Sequence, residues 1–173
     1  LAVREADDAV REKARAELRE PYRTLLGHFR HETGHYFWDR LVGDTGQCDG
    51  FRAVFGDERF DYGAAVAAHY ANGAPANWQQ SFVTAYASMH PWEDFAETWA
   101  HYLHIRDSLD TAHGYGFIAA PDPAVDPASA ADDFAAMVQA WVRITLGLNA
   151  LNRSMGLPDL YPFVLPQASI DKL

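Results

Sequence analysis

His31 and His35 stand four residues apart with Glu32 beside the first of them, in the run His31-Glu32-Thr33-Gly34-His35. On a helix, side chains at i and i+4 project from one face, so both imidazoles can reach one divalent ion. Glu32 is then placed to take a proton from a water held by that ion, which is the general-base role of a His-Glu-x-x-His pattern. A catalytic zinc takes three protein ligands and keeps a fourth position open, so a further ligand is expected from a separate element. Glu93, Glu97, His101 and His104 supply such an element, because their spacings of four, four and three keep them on one helical stripe. Glu93 on the metal with Glu97 behind a ligating imidazole is the economical assignment, since a carboxylate there fixes the ring's tautomer and raises its basicity. The exchanged assignment, with Glu97 on the metal, uses the same residues. His101 and His104 continue the stripe and suit a supporting or cleft-wall position, because three protein ligands already suffice.

These residues need two helices to carry them. Pro21 fits the first turn of a helix running to about Val42, closed by Gly43 and Gly46. Phe29, Tyr36, Phe37, Trp38 and Leu41 flank the histidines and argue that this helix is largely buried, where two imidazoles and a carboxylate would require polar partners. Gly34 costs the helix ~1 kcal/mol relative to Ala, and a small residue there suits a second element packing close. Pro91 opens the second helix, Glu93 in its first turn suits the dipole, and Gly114 ends it. Trp92, Phe95, Ala96, Trp99 and Ala100 surround the acidic stripe and predict its burial.

The remaining chain reads as a mostly helical domain. Ala6 to about Glu20 is a charged helix, Asp61 to Tyr70 a short one, and Phe51–Phe55 a helical turn in a Gly-rich loop. Residues 78–89 read as a short strand or an irregular approach to Pro91. Prolines mark residues 115–128 as loop, and Ser129 caps a helix that ends at Gly156. The Pro-punctuated run Leu157 to Pro166 reads as extended chain packed on the body, and Ser169–Leu173 as the start of a helix. The expected class is mainly α, with at most a small, short-stranded sheet at the N-terminus or near residue 80.

A length of 173 residues suits one domain over 1–173, and the start at Leu1 suggests a fragment of a longer chain. The formal net charge of −10 argues against binding nucleic acid or an anionic membrane, both of which need a basic face. Gln139, Arg143 and Asn149 interrupt the apolar stretch from Phe134 to Leu151, so no membrane span is expected. Cys48 stands alone, which excludes an internal disulfide and a Cys-based zinc knuckle. With no basic-then-apolar leader visible, the expected location is cytoplasmic.

The segment Val83-Thr84-Ala85-Tyr86-Ala87-Ser88-Met89-His90-Pro91-Trp92-Glu93-Asp94-Phe95-Ala96-Glu97 resembles the second motif of glutamate zincins of the lethal-factor-like type. More closely, the approach Pro21 to Arg30 into His31–Leu41, together with His90–Ile105, is similar to a bacterial family of zinc-binding metallopeptidases, over most of residues 1–170. The resemblance implies a zincin-like fold with a helix bearing the His-Glu-x-x-His pattern packed on one bearing the third ligand. It implies a zinc-dependent peptidase acting on a peptide or protein substrate. By position it makes His31, His35 and Glu93 zinc ligands, Glu32 the base and Glu97 the supporting acid. It matches Tyr86 to a tyrosine whose hydroxyl faces the scissile carbonyl. This sequence departs from the pattern at His90, where many zincins have Asn, and at Asp94, where an aromatic is usual. The competing readings are a zinc site without proteolytic activity, which stabilises the fold or presents a partner surface, and a metal-free helical interaction domain.

Overall fold

The computed structural model describes residues 7–18, 24–118 and 130–173. It is mainly helical, and the described residues contain no strand. The helices are α1 (Asp8–Leu18), α2 (Leu25–Trp38), α3 (Cys48–Phe55), α4 (Tyr62–Asn72), α5 (Pro91–Gly114), α6 (Ala130–Ser154) and the single turn α7 (Gln167–Ile170). Pro21 and Ser129 lie outside the described residues. Residues 78–89 take the irregular of the two forms expected of them, as 3₁₀ turns at Trp78–Gln80 and Tyr86–Met89. The chain divides into two compact units, one of residues up to Leu103 with Phe163–Leu173, the other of His104–Pro162.

In the first unit, α2 starts at Thr24, whose extended backbone and hydroxyl cap the helix by accepting the Gly27 N–H at 3.0 Å. Beyond Trp38 the coil widens into a π turn, Asp39–Gly43, which buries Val42. α2 is less buried than its flanking aromatics suggest. Phe29, Tyr36 and Leu41 are 47%, 55% and 50% exposed, whereas His31 and Gly34 are buried. The polar and glycine face turns inward because α5 lies against it backbone to backbone. A Cβ on Gly34 would stand 2.8 Å from Ala96 Cα and 3.2 Å from its carbonyl oxygen. Neither atom can yield without moving the helix. Gly34→Ala is therefore expected to separate α2 from α5 and cost about 1–3 kcal/mol, read as a lower urea midpoint at unchanged slope.

The Pro91–Leu103 part of α5 is the centre of this unit, with Glu93, Asp94, Ala96, Ala100 and His101 all buried, as the surrounding apolar residues predict. His90 starts the helix: its Nδ1 accepts the Trp92 N–H at 3.1 Å, which leaves Nε2 to donate to the Phe60 carbonyl at 3.1 Å. The position that departs from the zincin pattern is thus a helix cap. Asp94, the other departure, receives Lys172 Nζ at 2.7 Å, and Lys172 also donates to the Ser81 carbonyl and lies 4.5 Å from the Phe82 ring centroid. Burial pushes the Asp94 pKa up to about 6, against the Lys172 charge. Phe51 and Phe55 of α3 close the layer on Phe95, at centroid distances of 6.0 and 5.4 Å.

In the second unit, Ile105, Leu109 and Ala112 form the buried stripe of α5, and Val138, Trp141, Thr145 and Asn149 that of α6. The chain after α6 packs back on it. Asn149 donates to the Tyr161 carbonyl at 2.8 Å and accepts its N–H at 3.0 Å, and the Trp141 and Tyr161 rings meet at 4.9 Å. Gln139, Arg143 and Asn149 do not interrupt α6. Contrary to expectation, Phe134–Ser154 is long and apolar enough, by length and composition, to cross a membrane.

Candidate metal centre

The close approach of Gly34 to Ala96 aligns the turns on either side of it. His31 and His35 on α2 meet Glu93 and Glu97 on α5, one turn apart in each helix. His31 Nε2 lies 3.1 Å from His35 Nε2 and 3.1 Å from Glu93 Oε2, and His35 Nε2 lies 3.5 Å from Glu93 Oε1. The ligand atoms of His31, His35 and Glu93 all fall within 4.8 Å of one another. Bonds of ~2.0–2.1 Å to a tetrahedral zinc separate neighbouring ligand atoms by roughly 3.3 Å, so the three side chains fit that ion. Two further observations support the fit. Imidazole nitrogens that face each other at this distance repel unless a proton or cation lies between them, and Glu93 Oε2 is buried without a hydrogen-bond partner among the described residues.

Behind these atoms, Glu97 Oε1 accepts His31 Nδ1–H at 2.6 Å, and Glu97 Oε2 accepts the Thr84 hydroxyl at 2.8 Å. The Glu97 bond places a His31 proton on Nδ1 and leaves Nε2 facing His35 and Glu93. Of the two assignments open in the sequence, the structure thus puts Glu93 between the imidazoles and Glu97 behind one of them. The electrostatics match. Burial opposes a charge on His31, yet the Glu93 and Glu97 carboxylates outweigh it and hold its pKa up to about 10. Burial likewise opposes the charge on Glu93, but the adjoining His31 and His35 imidazoles keep its pKa below the usual carboxylate range. The pocket favours positive charge at its centre.

Glu32 lies on the open side of α2, with its side chain 38% exposed and its Oε1 3.5 Å from His28 Nε2. Tyr86 stands where its 3₁₀ turn meets the site, its ring centroid 6.0 Å from that of His31. Burial, reinforced by the Glu93 charge, raises the Tyr86 pKa, so the phenol keeps its proton at neutral pH. His101, one turn past Glu97, packs edge-on against Phe163 at 4.6 Å. Burial, partly offset by the Glu97 charge, pushes its pKa down to about 4, so it stands there as a neutral ring.

Two residues at the centre are missing from the sequence reading. Tyr62, from α4, donates its hydroxyl to Glu93 Oε1 at 2.9 Å, and Thr84 holds Glu97. The one available signal for Thr84 is its place two residues before Tyr86; Tyr62 has none, because only the path of the chain brings α4 to α5.

A family model described as "Putative zinc-binding metallo-peptidase" matches residues 1–173. The uncharacterized protein Mb2598c of Mycobacterium bovis and the uncharacterized protein Rv2568c of Mycobacterium tuberculosis are each 49% identical over 174 aligned residues, covering 100% of this chain. The chain spans about half the length of these relatives, 51% in each case. No solved structure matches the chain.

Proposed function

Because the chain belongs to this zinc-binding metallo-peptidase family, we propose that it hydrolyses peptide bonds in a zinc-dependent reaction, with His31, His35 and Glu93 holding the metal. The observation that carries the reading is the convergence of those three ligand atoms with an uncoordinated carboxylate, Glu32, on the adjoining helix position. A structural zinc site is normally closed by four protein ligands, whereas three with a carboxylate alongside is the catalytic pattern. The packing of α2 on α5 is the zincin-like element of this fold, in its glutamate form.

Zinc, when bound, supplies a Lewis acid that lowers the pKa of a coordinated water toward ~7. Glu32 takes the proton of the attacking water and returns it to the leaving amine. The Tyr86 hydroxyl, protonated and held beside His31, donates a hydrogen bond to the carbonyl oxygen as it gains charge, a contribution typically worth about 10²–10³ in rate. Glu97 keeps the His31 ring in its working tautomer. His101 supports Glu97 as a neutral neighbour and takes no part in proton transfer.

The test is metal analysis of the purified protein combined with a mixed peptide library read by mass spectrometry. The expected result is about one zinc per chain and cleavage that a chelator abolishes and zinc restores. Protein that retains no zinc, or cleavage indifferent to the chelator, overturns the proposal.

A further inference from the structure

We infer that Tyr62 is a positioning residue of the metal centre, its hydroxyl holding Glu93 so that Oε2 is the oxygen left for the ion. The inference rests on the zinc reading above and concerns a residue outside both motifs. Glu93 is 1% exposed, so water cannot orient its carboxylate and each oxygen must be fixed by a neighbour. Oε1 accepts the Tyr62 hydroxyl at 2.9 Å and lies 3.5 Å from His35 Nε2, farther than Oε2 lies from His31 Nε2. Oε2 has no hydrogen-bond partner among the described residues and faces His31 Nε2 at 3.1 Å. The two oxygens are therefore unequal, and Tyr62 makes them so.

The Tyr62 hydroxyl is itself held in place. Tyr62 is the first residue of α4, directly after the Asp61 cap, whose carboxylate accepts the Ala64 N–H at 2.9 Å. Its ring meets those of His90 at 5.4 Å and Trp92 at 6.0 Å, both at the start of the helix that carries Glu93. Trp92 also lies 4.4 Å from the His35 ring, so one aromatic contact set fixes a ligand and the ligand's holder together. A third helix thus takes part in a site that the sequence motifs assign to two.

Tyr62→Phe keeps the ring and removes the hydroxyl. Loss of such an outer partner typically weakens metal binding 10–100-fold, and that loss is expected here, measured by competition for zinc against a chromogenic chelator. In the cobalt-substituted variant the visible absorption should weaken as the freed Oε1 also binds the ion, a change that looser packing alone would not produce. Tyr70→Phe, on the same helix, is expected to bind zinc like the parent chain. Circular dichroism checks that both variants are folded, and Tyr62→Trp gives a second variant lacking the hydroxyl with an aromatic ring in place. Zinc affinity of the folded Tyr62→Phe protein within twofold of the parent overturns the inference while leaving the zinc reading intact. A parent chain that does not bind zinc overturns both.

Discussion

Glu32→Gln is expected to leave fold and zinc content unchanged while peptide cleavage falls about 10²–10⁴-fold, the usual contribution of a positioned general base. Gln has the shape of Glu and can still accept or donate a hydrogen bond, but it cannot take a proton from water. The substitution touches none of the atoms that converge on the metal position, since Glu32 points to the open side of α2. With its side chain 38% exposed, Glu32 can be replaced by an amide without leaving a buried polar group unpaired. The loss should therefore fall on kcat with zinc stoichiometry and melting temperature held. Cleavage by the variant at the parent rate would remove Glu32 from the reaction. Equal losses of zinc and of cleavage would make it a structural neighbour of the ligands instead.

The candidate metal centre is legible in the sequence to the extent that it depends on helical periodicity. His31 and His35 share a face because of their spacing, and so do Glu93 and Glu97; Pro91 and Gly114 bound α5 as read, whereas α2 starts after the Thr24 cap and not in a turn opened at Pro21. Burial of the acidic stripe followed from the alanines and aromatics around it. What periodicity does not reveal is which face of a helix turns inward. On α2 the flanking aromatic residues read as burial of most of the helix, whereas burial falls on the face of His31 and Gly34, in contact with Ala96. The close helix contact outweighs the exposure of Phe29, Tyr36 and Leu41, because without it the imidazoles and carboxylates could not meet. Contacts between elements distant in sequence were illegible altogether. Tyr62 on Glu93 and Lys172 on Asp94 span 31 and 78 residues, and nothing in the local composition of either partner announces the other. His90 shows a milder form of the difficulty: its departure from the zincin pattern reads as a change in the cleft, whereas both ring nitrogens are used to start α5.

His31→Ala should have the largest effect on the protein as a whole, removing zinc binding and destabilising the metal-free chain together. Among the described residues His31 touches both carboxylates, through Nε2 to Glu93 and Nδ1 to Glu97. Deleting it leaves two buried negative charges with one cationic neighbour fewer, and breaking a buried pair in this way typically costs about 3–5 kcal/mol. The pH dependence identifies the cause. In the metal-free protein the His31 pKa is held up to about 10, above its ordinary value near 6.5. A pKa raised on folding means that the folded state binds the proton more tightly, so the stabilisation is fully present below about pH 6.5 and is lost as pH rises toward 10. Urea denaturation of chelator-treated protein should therefore show stability declining through that window in the parent chain, with the decline reduced in His31→Ala. The gap between the two should be widest at and below neutral pH and should narrow in alkali. A gap that does not change with pH would mean that His31 stabilises the fold through packing, and the charge argument for a cation-favouring pocket would fail.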